Sequence, residues 1–213
     1  MSGPIFFAVI GDIVGSRDLE DRGAVQRRLQ ASLARSNERW REAVAADLKL
    51  TAGDEVQGLL RGPSAVVDIM TETADAIHPA RMVWGLGRGP LSTELAADVA
   101  VLDGPCLHNA REALRAASQR GRWLDVRGVG APHGEAIAAL MSLIGAIRSD
   151  WTETRLAYIR EARVKPQKDV AAQFGVNEST VSRALARARF RPVLEAEAAT
   201  RSLLDSAAAE ARD

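Results

Sequence analysis

The chain of 213 residues has little cysteine, few aromatic residues and no net charge. Cys106 is its one cysteine, so no internal disulfide can form and a small disulfide-stapled fold is excluded. Its 28 Lys and Arg balance 28 Asp and Glu, which excludes a chain that is basic throughout. Any surface for a polyanion must therefore come from a local concentration of positive charge.

Long hydrophobic runs are also missing. The apolar stretch at residues 5–14 is too short to span a bilayer, contains Asp12 and has no basic segment before it. We therefore predict no membrane association and a cytoplasmic location. The apolar fraction of 46% nevertheless supplies enough hydrophobic surface for a real core.

Residues 167–191 carry the clearest pattern in the chain, which predicts two short helices joined by a tight turn. Ala171 is small enough for the second helix to approach the first, Gly175 can take the left-handed conformation that ends a helix, and Val181 fills the corner. This spacing predicts a helix-turn-helix whose second helix begins at Asn177 or Glu178.

Positive charge is concentrated around the same segment. Residues 160–191 contain eight Lys or Arg and three acids, a local excess of five in a chain of zero net charge. Such a cluster is typical of a surface that binds double-stranded DNA, although a helical hairpin docked on its own domain or on a protein remains the alternative. The predicted DNA contacts are Lys168, Asn177, Ser179, Thr180, Ser182, Arg183, Arg187 and Arg189.

The N-terminal part predicts a different architecture. The continuous apolar run at residues 5–10 indicates a central strand covered on both faces, which delivers Asp12 to its exposed end. A long amphipathic helix at 19–46 follows, and two short strands at 48–51 and 56–60 flank a turn that displays Asp54. The two carboxylates would meet at one edge of the sheet; alternatively, each Asp caps its own backbone.

The next helix and strand complete the predicted order of a ferredoxin-like palm, and a further helix and strand follow them. They are a helix at 64–77, a strand at 81–86, a helix at 105–118 and a strand at 123–126. We predict that the glycine-rich residues 85–89 form a plain turn rather than a phosphate cradle.

Glycine and proline crowd residues 128–134, which predicts a linker and a domain boundary near Gly130. Helical periodicity then covers 135–163, with a bend near Trp151, where Thr152 starts a second helix. Pro192 is predicted to end the recognition helix, and the tail at 193–212 either pairs two chains or covers the first domain. The fold class is thus α+β, with a palm at 1–130 and an all-α helix-turn-helix domain at 131–213.

Two short motifs resemble those of a known family. Residues 12–16, DIVGS, and residues 53–55, GDE, resemble the metal-binding motifs of class III nucleotidyl cyclases and diguanylate cyclases. Their combination with a C-terminal helix-turn-helix is similar to the SatD family of bacterial proteins. The resemblance implies that Asp12, the carbonyl of Ile13 and Asp54 bind Mg²⁺ or Mn²⁺, and that Gly15 and Ser16 lie against nucleotide phosphates.

Residues 104–111 resemble the cyclase segment in which an Asn and an Arg four residues later contact the ribose and the reacting phosphate. Asn109 matches, but position 113 is Ala, so Arg111 would have to replace the Arg with a different geometry. Loss of one such donor costs about a hundredfold or more in rate, so nucleotide binding is favoured over turnover.

The resulting prediction is a homodimeric, DNA-binding transcription regulator with a ligand-sensing, cyclase-like domain. A metal-dependent nucleotidyl cyclase or nucleotidyltransferase that carries a helix-turn-helix is the alternative. A third possibility is a first domain whose acids are vestigial and which serves only for dimerisation.

Overall fold

A five-stranded sheet organises the computed structural model, which describes residues 3–51 and 53–210. The strand order is β2-β3-β1-β4-β5; β4 and β5 are parallel and the other neighbours antiparallel. The central position of β1 follows from its uninterrupted apolar sequence, since its side chains are buried on both faces, as predicted. The strands are β1 Ile5–Ile13, β2 Val44–Leu50, β3 Val56–Leu60, β4 Met82–Pro90 and β5 Leu124–Arg127.

Eight α-helices accompany this sheet in the described residues, and none is long and apolar enough to cross a membrane. Helices α1 and α2 pack over one face of the sheet, and α3 covers the other. The helices are α1 Arg22–Arg39, α2 Val66–Ile77, α3 Pro105–Arg120, α4 His133–Ser149, α5 Glu153–Ala162, α6 Gln167–Phe174, α7 Glu178–Arg187 and α8 Phe190–Glu210.

One hydrophobic core extends across the predicted domain boundary. Leu60 of β3 and Ile69 of α2 belong to the same buried cluster as Met141 of α4, Val181 of α7 and Leu204 of α8. The predicted boundary near Gly130 therefore falls within a continuous core, and the sheet and the C-terminal helices share their hydrophobic burial.

The C-terminal tail covers the first part of the chain, which was one of its two predicted roles. Helix α8 packs on α4 and α2, and the Arg201 guanidinium pairs with the Asp68 carboxylate of α2 at 3.0 Å. Glu197 of α8 is fully buried, and its carboxylate accepts two hydrogen bonds from Arg163 at 2.8 and 2.7 Å. A buried carboxylate requires such a paired cation, so α8 is fixed against its own protein.

The glycine-rich residues 85–89 lie inside strand β4, so their prediction as a turn is wrong, and so is the alternative of a phosphate loop. Gly85, Gly87 and Gly89 all face α3. A Cβ atom on Gly87 would lie 2.1 Å from both the Ala110 nitrogen and the Cys106 carbonyl oxygen. The glycines are therefore required by the close approach of a helix backbone to the sheet.

The predicted helix at 19–46 is too long, because α1 ends at Arg39 and β2 begins at Val44. Val44, Ala46 and Leu48 are buried while their neighbours are more exposed. This period of two belongs to a strand, and it overrides the helical spacing that Val44 shares with Trp40.

In the C-terminal region, the predicted break near Trp151 is confirmed. Thr152 precedes α5, and its hydroxyl oxygen accepts a hydrogen bond from the Arg155 backbone nitrogen at 3.3 Å. The prediction for Pro192 is wrong. The chain turns at Arg189, whose φ is 54°, and Pro192 lies in the first turn of α8, where its missing N–H costs no hydrogen bond.

Replacing Gly87 by Ala tests the packing of α3 on β4. The new methyl group would meet helix backbone that cannot move away alone, so we expect Gly87→Ala to lower the free energy of unfolding by about 1–3 kcal/mol or more. Gly62→Ala is the matched control, because no atom lies within 4 Å of the position that its new Cβ atom would take, and it should change stability by less than about 0.5 kcal/mol. Urea unfolding followed by circular dichroism measures both; equal stability of the two variants would contradict the packing argument.

Candidate functional site

Three carboxylates meet where β1 ends and β3 begins, and we call Asp12, Asp54 and Glu55 the acidic edge. Gly11 pairs with Val56 in the antiparallel ladder, so Asp12, the residue after Gly11, lies opposite Glu55, the residue before Val56. Partial burial raises the pKa of Asp12 and the charge of Asp54 raises it further; the backbone N–H of Ile13 acts in the opposite direction, and Glu55 again raises it. The sequence prediction that Asp12 and Asp54 lie near each other agrees with this geometry.

Two arginines partly neutralise the acidic edge. Arg22 of α1 lies 3.7 Å from the Asp54 carboxylate, and Arg111 of α3 lies 3.6 Å from the Glu55 carboxylate. Among the described residues, no group of three His, Cys, Asp or Glu side chains is arranged to hold a metal ion. In this conformation Asp54 and Glu55 are ion-pair partners of these two arginines.

The four predicted nucleotide-binding residues do not all lie at this edge. Gly15 adopts a left-handed conformation with φ 63° and leads into a short 3-10 helix that begins at Ser16, close after Asp12. Arg111 reaches the edge through Glu55. Asn109 instead donates its amide hydrogen to the Arg88 carbonyl at 2.9 Å.

Asn109 lies far along the sheet from the acidic edge. Arg88 pairs with Phe7, whereas Asp12 pairs with Val83. Five residues of strand correspond to about 17 Å. The structure therefore brings Arg111 but not Asn109 to the acidic edge.

A cleft of about 830 Å³ opens beside the acidic edge. Asp12 lines one part of it, and Arg148, Trp123 and Trp151 line another, together with Asp75 at the end of α2. The guanidinium of Arg148 is buried, pairs with the Asp75 carboxylate and donates to the Thr71 carbonyl at 3.1 Å. We call this the Arg148 cleft.

Asp12, Ile13 and Gly15 of this cleft were predicted as site residues, but Arg148 was not, although one signal for it was present. Ile137, Met141 and Ile144 form the buried stripe of α4, and Arg148 occupies the next position of the same stripe. A charged residue on the core face of a helix needs a buried partner. The partner Asp75 is 73 residues away in sequence, so its identity could not be inferred from the pattern alone.

The predicted helix-turn-helix segment forms two short helices, α6 and α7, joined at Gly175 in a left-handed conformation with φ 64°. Ala171 and Val181 are buried between the elements, as predicted, and α7 begins at Glu178 after Asn177. The predicted DNA contacts are exposed apart from the half-buried Thr180, and in the described structure none of these side chains forms an ion pair or a hydrogen bond. They are Lys168, Asn177, Ser179, Thr180, Ser182, Arg183, Arg187 and Arg189.

Three of the eight cations in residues 160–191 have partners within the protein. Arg160 donates to the Asp75 carbonyl, Arg163 is held by the buried Glu197, and Lys165 pairs with the acid four residues before it. Of these three cations, Arg163 is half-buried, whereas Arg160 and Lys165 remain exposed beside their partners. Five exposed cations remain without a partner in the described structure: Lys168, Arg183, Arg187, Arg189 and Arg191.

The fold and these surfaces define a mixed α/β protein with a five-stranded sheet and a helical C-terminal part. The SatD family model matches residues 6–200, and the chain belongs to the SatD family. No curated protein matches the chain. Among solved structures, a bacterial light-regulated adenylyl cyclase is similar over 57% of this chain and 74% of its own chain, with 16% identity and a TM-score of 0.44, a likeness too weak to carry an argument.

The raised pKa of Asp12 predicts a pH-dependent effect on stability. The folded protein holds the carboxyl proton more tightly than the unfolded chain does, so ionisation of Asp12 destabilises the fold as the pH rises through this pKa. Asp12→Asn stays uncharged and should therefore raise the melting temperature at pH 7. The gain should shrink on acidification and vanish below the ordinary value of 3.8.

Thermal unfolding followed by circular dichroism between pH 3 and 8 measures this difference. Asp47→Asn is the control, since Asp47 is exposed on β2 and has no ion pair in the described structure. A melting temperature of Asp12→Asn that equals the wild-type value at every pH would show that the acidic edge is not under electrostatic strain.

Proposed function

We propose that this protein is a homodimeric, DNA-binding transcription regulator in which α6 and α7 form a helix-turn-helix and the sheet domain senses a small ligand. The observation that carries the proposal is the exposure of the cationic side of α7. Its basic side chains have no acidic partner in the described structure, and a helical hairpin docked on its own protein would bury or pair them. This exposure supports DNA binding over a hairpin whose cationic side is docked on its own domain, and docking on a protein partner stays the alternative.

The two sides of α7 differ in the way that recognition requires. Val181 and Leu185 are buried against the rest of the protein, whereas Ser182, Arg183 and Arg187 face solvent. An α-helix with its side chains is about 10–12 Å in diameter, so a major groove about 12 Å wide admits α7, whose 10 residues extend about 15 Å along its axis. Guanidinium groups then reach phosphates and guanine edges, and the hydroxyl groups near the helix start reach phosphates or bases.

The homodimer is part of the proposal because one recognition helix contacts only a few base pairs. Two copies of α7 related by two-fold symmetry would occupy half-sites one helical turn apart, about 34 Å. Doubling the number of phosphate contacts supplies the affinity that five exposed cations on one chain would not.

The sheet domain is proposed to be a ferredoxin-like, cyclase-like palm. The chain order β1-α1-β2-β3-α2-β4 and the antiparallel sheet order β2-β3-β1-β4 support this assignment, and β5 extends the sheet. Nucleotide binding near Gly15, Ser16 and Arg111, and a Mg²⁺ or Mn²⁺ ion at Asp12, Ile13 and Asp54, stay predictions. A cation would have to compete with Arg22 for the Asp54 carboxylate.

Replacing Arg183 and Arg187 together by Ala tests DNA binding. We expect the wild-type protein to shift genomic DNA fragments at low salt, and the double variant to bind at least tenfold more weakly. The slope of its log affinity against log salt concentration should be smaller in magnitude by about two, because each lost phosphate contact removes about one unit of that slope. Fluorescence anisotropy with the most strongly shifted fragment, measured at several salt concentrations, gives both quantities.

The matched control removes two exposed arginines elsewhere, Arg27 of α1 and Arg115 of α3, which have no ion pair in the described structure. It lowers the net charge by the same amount, so an effect of charge alone would weaken DNA binding equally. We expect less than a twofold change. If the wild-type protein does not bind DNA at low salt, the proposal of a DNA-binding regulator is refuted.

An enzyme is the second candidate, and the observation that favours it is the acidic edge with its raised Asp12 pKa beside a cleft. Closely spaced carboxylates suit metal-assisted nucleotidyl transfer after rearrangement of Arg22 and Arg111. The absence of an Arg at position 113, where Ala stands, and the distance of Asn109 from this edge argue against it.

Incubation with each ribonucleoside triphosphate and Mg²⁺ or Mn²⁺ separates the two candidates. We expect no pyrophosphate above background, because the donor that would stabilise the transferred phosphoryl group is missing. Release that is abolished in Asp12→Asn but kept in Asp47→Asn would replace the regulator by a nucleotidyl cyclase or nucleotidyltransferase.

A further inference from the structure

The Arg148 cleft has the dimensions of a small-molecule site. Its volume of about 830 Å³ lies within the range of roughly 300–1,000 Å³ that is usual for ligand pockets. The sheet edge provides one part of its lining, and α2, the end of α3, α4, α5 and the segment 78–81 also contribute. Helices of the C-terminal region thus complete a cleft that the sheet alone does not form.

Arg148 has hydrogen-bonding capacity that the protein leaves unused. Its Nη2 atom serves the Asp75 carboxylate and the Thr71 carbonyl, whereas the buried Nη1 atom has no hydrogen-bond partner in the described structure. The side chain is 8% exposed. An unsatisfied buried donor costs about 1–3 kcal/mol, and more when the group is charged, so an acceptor at this point is strongly favoured.

Two indole rings hold the guanidinium in place. The Arg148 Cζ atom lies 4.7 Å from the centre of the Trp151 ring and 5.6 Å from that of the Trp123 ring. The rings attract the cation, but they do not offer the oxygen acceptors that its N–H groups prefer. The guanidinium is therefore rigidly positioned for a carboxylate or phosphate group.

We propose that the Arg148 cleft binds a small organic anion, whose carboxylate or phosphate oxygens accept hydrogen bonds from Nη1 of Arg148. The Asp75 carboxylate occupies only one side of the guanidinium, so a second anionic group completes its hydrogen bonding. The ligand excludes water from the cleft and lies against the exposed wall of α4, which Ala146 lines.

Trp151 connects this site to α7. Its indole nitrogen donates a buried hydrogen bond to the Ala188 carbonyl at 3.0 Å, and Ala188 caps the C-terminal end of α7. The next residue, Arg189, has a φ of 54°, an unfavourable conformation for a residue other than glycine. A shift of Trp151 on ligand binding would therefore alter the end of α7 and, on the proposed DNA-binding function, its fit to DNA.

Calorimetric titration of the whole protein with pyrophosphate and, separately, with citrate tests the site without DNA. We expect saturable binding of at least one anion, and the preferred probe distinguishes a phosphate ligand from a carboxylate ligand. Ala146→Glu places a negative charge at the cleft and should weaken binding at least tenfold. Leu143→Glu, on an exposed position of the same helix outside the cleft, should bind within twofold of wild type.

Two results would overturn the anion site: no saturable binding of either probe, or equal affinities of the two variants. Arg148→Lys gives a further check, since it keeps the charge beside Asp75 but removes Nη1. We expect it to lose binding while circular dichroism shows a folded protein. Unchanged affinity in folded Arg148→Lys would also refute the site.

The link to α7 is tested by the DNA affinity with and without a saturating concentration of the bound anion. We expect the anion to change the DNA affinity of the wild type at least threefold. The DNA affinity of Ala146→Glu should not change, and this variant controls for the effect of the anion on ionic strength. Trp151→Phe keeps a ring over Arg148 but removes the hydrogen bond to Ala188, so it should bind the anion and lose the change. Equal changes in wild type and Trp151→Phe would overturn the link, and a failure of DNA binding itself would leave the calorimetric result intact.

Discussion

The ion pair between Arg148 and Asp75 joins the C-terminal helices to the part of the protein that contains the sheet. It connects α4 to α2 inside the shared core, and Arg160 of α5 donates to the carbonyl of the same Asp75. A buried pair adds little net stability compared with apolar side chains of the same volume, but removal of one partner costs about 3–5 kcal/mol. Its main consequence is that the C-terminal helices have one defined position against the sheet.

The arginines of the C-terminal helices differ in whether they have an acidic partner within the protein. Arg148 is buried and Arg163 is half-buried, and they are matched to Asp75 and Glu197, because a buried charge without a partner would be strongly destabilising. The arginines of α7 have no such partner in the described structure and remain hydrated. A count of charges along the sequence cannot separate these groups, since burial decides between them and burial depends on residues far away in the chain.

Local patterns were sufficient where the physical cause is local. The apolar run of β1, the glycine at position 175 and the cap at Thr152 each depend on a few neighbouring residues, and the sequence predicted all three. The pairing of β1 with β3 was also foreseeable, because it follows from the order of the elements. It brings Asp12 and Asp54 to the same edge.

Predictions failed where tertiary contacts decide the outcome: the glycines of β4 look like a turn in the sequence, and only the approach of α3 explains them. The Arg148 cleft could not be assembled from the sequence either, since its walls come from elements that are distant in the chain.

The shared core also limits how the two candidate sites can influence each other. A ligand shifts a conformational equilibrium only by the difference between its affinities for the two states. A tenfold change in DNA affinity requires about 1.4 kcal/mol, which is comparable to the cost of one unsatisfied buried donor. Satisfying Nη1 of Arg148 would therefore supply a sufficient free energy, provided that the ligand-bound position of Trp151 differs from the free one. Because Trp151 contacts Arg148 through its ring and Ala188 through its indole nitrogen, even a small rotation of this one side chain would change both contacts together.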